Sequence, residues 1–360
     1  MAEVRLPANT DGTVLEICQS IPGQLLAAGE YEAAREAVLA MVALAGTGVL
    51  PHGGKRKTKK PDAAGNLWFV QTAYVYYKLT GDQETWRSAL LGLCKRITQG
   101  VIAGLFEGTA MGDGGLLSGR GSVPAIMELN VLWYSALSIL AEELRAAGDT
   151  AGDHFERLGG RFRRSFLKAY WCEAHECLCD PARLQAEGHG AAGEIPEGAQ
   201  LLTAVVPFSA VPRTKQRQIV DAVAKVARRE LGIVVSAESA GVKRDPRGEL
   251  VSPLFLAWLA EGHVRTSDTP ATSLAEAITW MAGVQKVLEE TGGLSRLYVG
   301  AAPAKVAGNA APHGPTMAEV RRVLTSLEVA SGRPIGNSKR TRITGSLMPT
   351  VAPPTGEPRV

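Results

Sequence analysis

Two segments of the sequence place polar groups and tryptophans at the start of apolar, helix-like runs. The first, NLWFVQTAYVYYKL, carries Trp68 near its start, and the second, MELNVLWYSAL, carries Glu128, Asn130 and Trp133. A carboxyl group can transfer a proton, an amide can hydrogen-bond hydroxyl groups, and an indole ring offers a flat apolar face. These residue types predict either the packing of buried helix ends or the lining of a pocket for a polar, ring-shaped ligand.

Composition limits the classes of protein that the chain can belong to. It has 360 residues, of which 45% are hydrophobic, enough for one large domain or two smaller ones. A net charge of +3 gives no indication of nucleic-acid binding. Charged residues interrupt every apolar run before the ~18 residues that a membrane helix needs. Five cysteines, an odd number, without a signal-peptide core predict reduced thiols in a cytoplasmic protein.

Helical periodicity recurs along most of the chain. The predicted helices cover residues 13–28, 30–45, 65–80, 82–101, 124–147, 151–170, 197–210, 212–231, 252–264, 270–291 and 316–330. Short turns alternate with long Gly-rich loops, which is typical of stacked helical hairpins. We therefore predict an all-α fold, an (α/α)6 toroid in a single domain over 1–331, with a twelfth helix hidden in irregular sequence. The Pro- and Gly-rich residues 332–360 predict a flexible tail.

The inner and outer helices of such a ring differ in their residue patterns. Inner helices are buried on nearly all sides, and the runs 65–77 and 124–140 are apolar enough for that position. Outer helices are amphipathic, and residues 212–231 fit because Ile219, Val223 and Val226 share one stripe.

Five segments, in order, resemble the C-terminal glucosidase-type domain of bacterial and archaeal glycogen debranching enzymes, the amylo-α-1,6-glucosidases. The segments are SIPGQLLAAGEYEAAREAVLAM, NLWFVQTAYVYYKLTGD, MELNVLWYSAL, AQLLTAVVPFSAV and GGLSRLYVG. The resemblance covers residues ~14–330. It implies an (α/α)6 barrel that acts on branched α-glucans or their oligosaccharides by inverting hydrolysis.

The resemblance also implies roles for individual residues. Inversion uses two carboxyl groups about 6.5–9.5 Å apart, one protonating the leaving oxygen and one activating water. Asp113 aligns with a family aspartate and is the implied general acid, while Glu128 and Glu16 are the candidates for the base. The residues expected to shape the sugar site are Trp68, Asn130, Trp133 and Gln200.

Several positions depart from the family pattern, and they support a second hypothesis. The aspartate that precedes the family's first Trp segment is replaced by Ala64, with Asp62 two residues away, and a family glutamate aligns with Arg296. A guanidinium cannot act as a base near neutral pH, and it opposes a cationic transition state. The alternative is therefore a non-catalytic glucan-binding or scaffold protein that kept the ring.

The remaining chemistry-bearing segments give weaker signals. The segment WCEAHECLCD holds Cys172, His175, Cys177 and Cys179, which are zinc-type ligands, but the spacing is not that of a standard knuckle, so buried free thiols are the default. The basic run 55–60 is interpreted as a solvated loop, with an anionic ligand as the alternative. We expect no metal, no cofactor and no membrane or nucleic-acid partner, and the sequence leaves protein partners unknown.

Overall fold

The computed structural model describes residues 13–52, 61–119, 123–179, 198–228, 232–235, 250–296, 298–299 and 312–332. Eleven helices follow one another along these residues and alternate between an inner and an outer position. The inner set is α1 (Val14–Ile21, continued by the π-helical turn Pro22–Leu26), α3 (Ala63–Thr80), α5 (Val123–Ala146), α7 (Gly198–Leu201 continued by Leu202–Val205), α9 (Pro253–Thr266) and α11 (Gly314–Ser331). The outer set is α2 (Tyr31–Ala45), α4 (Gln83–Thr85, Trp86–Leu90 and Leu91–Ile102), α6 (Ala151–Tyr170), α8 (Arg213–Val226) and α10 (Pro270–Thr291).

The six inner helices form a closed ring. Each packs against the next one in the order α1, α3, α5, α7, α9 and α11, and α11 packs back against α1. The closing contact is very tight at Gly23, where an added Cβ atom would lie 1.6 Å from the backbone oxygen of Ala318. The predicted (α/α)6 toroid is therefore confirmed as the fold.

Local sequence explains why the inner helix α3 begins and ends where it does. Asp62 caps its first turn, with Oδ2 accepting a hydrogen bond from the N–H of Gly65 at 2.8 Å. Gly81 ends it in the left-handed conformation with φ 69°. Between these ends the buried residues lie on all sides of the helix, including Leu67 and Tyr74. This burial is what the sequence predicts for an inner helix.

The outer helix α8 has the opposite character. Ile219 and Val223 are fully buried on the side that packs against α9, while Asp221 is exposed. The predicted amphipathic stripe is confirmed for these two residues.

Eight short strands lie in stretches where the sequence predicted loops or helix ends. β1 (Thr109–Met111) pairs antiparallel with β2 (Leu117–Gly119), and β3 (Trp171–Cys172) pairs antiparallel with β4 (Cys177–Leu178). A four-stranded antiparallel sheet has the order β5 (Ala227–Arg228), β6 (Gly232–Val235), β7 (Leu250–Ser252) and β8 (Tyr298–Val299).

Two predicted helices are shorter than expected. The helix predicted over 197–210 ends at Val205, because Pro207 holds the residue before it in an extended conformation. The helix predicted over 212–231 ends at Val226, where β5 begins. The basic run 55–60 and the tail from residue 333 onward lie outside the described residues.

Candidate functional site

A cavity lies inside the ring of inner helices. Its walls come from α1, α3, α7, α9 and α11, and it offers about 60 Å³ to the centres of water-sized molecules. A buried water needs roughly 10–15 Å³ on this measure, so the cavity holds several waters or part of a small ligand. The aromatic and charged side chains of the wall are Trp68, Trp258, Glu261, Arg265, Glu319 and Arg322.

Two tryptophan–glutamate pairs lie on opposite sides of this ring. The indole Nε1 of Trp68 on α3 donates to Oε1 of Glu128 on α5 at 3.1 Å. The indole Nε1 of Trp258 on α9 donates to Oε1 of Glu319 on α11 at 2.8 Å. Each of these residues is the sixth of its helix. The ring therefore carries two similar pairs at equivalent positions of their helices, on opposite sides of the ring.

Glu128 has an environment that favours the protonated form of its carboxyl group. The residue is half-buried at the start of an apolar helix. Burial raises the pKa of Glu128, although the hydrogen bond from Trp68 and the positive charge of Arg296 act in the opposite direction. Arg296 itself is exposed in the segment before β8. A carboxyl group with a raised pKa can donate a proton, which is the task of a general acid.

Glu319 belongs to a different kind of cluster. Arg322 contacts both of its oxygens, with Nε to Oε2 at 3.0 Å and Nη2 to Oε1 at 2.6 Å. The same guanidinium also binds Glu261, which in turn accepts from Arg265 at 3.3 Å. Burial alone would raise the pKa of Glu261, but Arg322 and Arg265 lower it. Two half-buried arginines therefore form ion pairs with Glu261 and Glu319 in the cavity wall.

A repeated contact fixes the loops that precede the inner helices. The side-chain amide of Asn130 accepts a hydrogen bond from Leu117 N–H and donates to Leu117 C=O, both at 2.8 Å. Asn66 makes the same two hydrogen bonds with Leu50, both at 2.9 Å. Both asparagines are fully buried. Each amide therefore joins the preceding segment to the first turns of an inner helix. It does so with one donated and one accepted hydrogen bond, as a residue of a neighbouring strand would.

Replacing Asn130 with Ala is expected to destabilise the fold by about 2 kcal/mol or more, because the buried N–H and C=O groups of Leu117 lose their partner. Urea unfolding would measure the free energy, and hydrogen exchange at Leu117 would locate the opening. Asn66→Ala is expected to destabilise the fold by a similar amount, since it removes the equivalent contact to Leu50. An Asn130→Ala variant as stable as the wild type would contradict this role.

Two further predicted sugar-site residues also make contacts with loops. Trp133 is fully buried and donates through Nε1 to the C=O of Gly115 at 3.0 Å. Gln200 is fully buried, and its Oε1 accepts from the N–H of Leu178 at 3.0 Å. Its Nε2 has no hydrogen-bond partner among the described residues. The cavity wall, as far as it is described, includes Trp68 but not Asn130, Trp133 or Gln200.

The predicted acids lie at different places in the structure. Asp113 is exposed in the turn that joins β1 to β2. Glu16 is half-buried in the first turn of α1, where its N–H donates to Thr13 Oγ1 at 3.2 Å. Asp62 uses both carboxylate oxygens to cap α3. The structure therefore brings together Trp68 and Glu128, while Asp113 lies in a turn and Asp62 is engaged at the start of α3.

The cavity residues that α9 and α11 supply were not predicted from the sequence. A signal was present, because charged residues interrupt apolar helical runs in LAWLAEGHVR and TMAEVRRVL. Buried charges in such runs need partners, and charged residues on one inner helix predict opposite charges on its neighbour.

The cysteine segment is arranged on the β3–β4 hairpin. Cys172 pairs in register with Cys177, and the Sγ atoms of Cys177 and Cys179 are 3.7 Å apart. None of the three forms a disulfide within the described residues, and no group of three or more metal ligands occurs in the described part of the chain. Likewise, none of the described helices combines the length and apolar character needed to cross a membrane.

The structure is similar to several solved glycosidases. A wild-type glycosidase shares 15% identity with a TM-score of 0.61, over 91% of this chain and 93% of the other. A bacterial glucoamylase solved with acarbose shares 10% identity with a TM-score of 0.57, over 90% of this chain and 49% of the other. A neutral trehalase from Saccharomyces cerevisiae shares 12% identity with a TM-score of 0.55, over 88% and 73%.

Sequence comparison alone does not place the chain in a family. No protein-family model matches it, and no curated protein matches it significantly. At 10–15% identity, the structural similarity establishes the fold. The chain is therefore an (α/α)6 toroid, a fold that it shares with solved glycosidases.

Proposed function

We propose that the protein is a glycoside hydrolase of the amylo-α-1,6-glucosidase type, which acts on branched α-glucans or their oligosaccharides inside the ring. The observation that carries this proposal is the Trp68–Glu128 pair, in which a half-buried carboxyl of raised pKa accepts a hydrogen bond from a tryptophan of the cavity wall. A glycosidase needs such a protonated carboxyl next to the leaving oxygen. The glycosidase-type fold and the resemblance to debranching enzymes support the same reaction.

The proposed roles follow from the geometry of the pair. Glu128 protonates the glycosidic oxygen, and Trp68 orients Glu128 while its ring packs against the sugar. Asn130, Trp133 and Gln200 stay predictions for the sugar site, and their contacts support a role in holding the surrounding loops. Asp113, which the family resemblance implies as the acid, is the rival proton donor.

Glucose release from a branched limit dextrin tests the proposed reaction. We expect the wild-type protein to release glucose, and proton NMR to show the β-anomer first, because inversion converts an α-linkage into a β-product. We expect an Asp113→Asn variant to keep most of this activity, because Asp113 is exposed in a turn. Background-level release by the wild-type protein would contradict the hydrolase proposal.

A non-catalytic glucan-binding protein is the second candidate, and one observation favours it. Glu128, Glu261 and Glu319 each have an arginine nearby, Arg296 in the first case and Arg322 in the other two. Positive charge at these positions opposes a cationic transition state. Isothermal titration with maltooligosaccharides would separate the two functions, since binding without glucose release supports the second candidate.

A further inference from the structure

We propose that Glu319 is the second catalytic carboxylate, the base that activates water opposite Glu128. This inference rests on the proposed hydrolase function and deepens it. The Glu128 and Glu16 candidates for the base came from a family resemblance, whereas Glu319 follows from the architecture of the ring. Glu319 lines the cavity directly.

The order of the helices places the two carboxyl groups on opposite sides of the ring. Glu128 is on α5 and Glu319 is on α11, which are third neighbours in a ring of six and therefore opposite one another. Neighbouring helices pack about 8–10 Å apart, so opposite axes are about 16–20 Å apart. Side chains extend about 5–6 Å from a helix axis, which leaves roughly 4–10 Å between the groups. An inverting pair needs about 6.5–9.5 Å, which lies inside that range.

The two carboxyl groups also have different environments, as an acid and a base require. Burial favours the protonated form of Glu128. Arg322 contacts both oxygens of Glu319, so this carboxyl group is paired with a positive charge. Because Arg322 also binds Glu261, its charge is shared between two carboxylates. Trp258 fixes the orientation of Glu319, as Trp68 does for Glu128.

The reaction then balances in one displacement. The oxygen of a cavity water forms a bond to the anomeric carbon, and one of its protons moves to Glu319. The electron pair of the glycosidic C–O bond goes to the leaving oxygen, which takes the proton of Glu128. The products are a β-sugar and a free hydroxyl on the remaining glucan, with Glu319 protonated and Glu128 ionised until solvent exchanges their protons.

Glu319→Gln and Glu319→Ala test this role. We expect both variants to bind maltotriose in isothermal titration but to lose about 10²–10⁴-fold in kcat, the usual effect of removing a general base. Azide should restore turnover of Glu319→Ala with formation of a β-glucosyl azide, because the anion attacks the anomeric carbon without needing a base. A residue that only supports the fold would not give this product.

Glu143→Gln is the matched control. Glu143 is also a buried carboxylate held by an indole N–H and a cation, with Trp86 Nε1 at 3.1 Å and Lys78 Nζ at 2.9 Å. Glu143 lies near the C-terminal end of α5, whereas Glu128 lies near its start, so we expect a lower melting temperature with kcat unchanged.

The outcomes separate this inference from the proposed function. No glucose release by the wild-type protein would overturn both. Wild-type activity together with full activity of Glu319→Gln would overturn the assignment of Glu319 alone. Equal losses in Glu319→Gln and Glu143→Gln without azide rescue would show that Glu319 acts through stability, and this result would also overturn the assignment.

Discussion

Glu128→Gln is expected to lower kcat for glucose release by about 10²–10⁴-fold, because glutamine has no proton to donate to the leaving oxygen. The substitution keeps an acceptor for the Trp68 indole N–H, so the pair at the cavity wall is retained. Binding of maltotriose should therefore change little. Steady-state kinetics and isothermal titration on the same preparation would separate the two effects.

The role of Glu128 as an acid also predicts how the activity changes with pH. A general acid works only while protonated, so activity should fall as pH rises through the pKa of Glu128. Since burial raises that pKa, the fall should lie above the ordinary range of a glutamate carboxyl. This fall of activity with rising pH should be absent from the Glu128→Gln variant. An active Glu128→Gln variant with an unchanged pH profile would contradict the role of Glu128 as the general acid. A large loss of activity in Asp113→Asn would instead support Asp113 as the general acid.

Gly23→Ala is expected to destabilise the protein by about 3 kcal/mol or more, at the upper end of overpacking effects. The new Cβ atom would lie 1.6 Å from the carbonyl oxygen of Ala318 and 2.1 Å from its carbon. Backbone atoms of a packed helix cannot rotate away, so α1 and α11 must separate. Urea unfolding followed by circular dichroism would measure the loss.

Gly92→Ala is the control for Gly23→Ala. Gly92 lies exposed inside the outer helix α4, where an added Cβ would meet nothing closer than Arg96 Nη1 at 3.7 Å. Alanine is the better helix former by about 1 kcal/mol, so this variant should be slightly more stable. A Gly23→Ala variant that resembled Gly92→Ala would mean that α1 and α11 do not close the ring.

Much of the ring could be predicted from the sequence because its helices have strong periodicity. The prediction for 151–170 agrees with α6 at both ends, and α3 starts two residues earlier than predicted because Asp62 caps it. The short strands could not be predicted, since segments of two to four residues carry no usable alternation. The early ends of α7 and α8 follow from local competition by Pro207 and β5.

The site was predictable only in part. Trp68 and Glu128 were proposed as candidates because both fall in segments that resemble a known family, and the structure places them in contact. Trp258 and Glu319 were missed, since the pairing of α9 with α11 depends on ring closure and not on local pattern. Asn130 was predicted to shape a sugar site, but its side chain is occupied by Leu117 and Ile126 backbone groups. Sequence spacing does not show which way a polar side chain at a helix end turns.

The most direct test of sugar binding inside the ring is a crystal structure of Glu128→Gln soaked with maltotriose. We expect a glucose unit that lies partly in the cavity, with its ring against Trp68 and its glycosidic oxygen within hydrogen-bonding distance of residue 128. An empty cavity at saturating ligand, or a sugar bound only on the outer surface, would contradict the central claim.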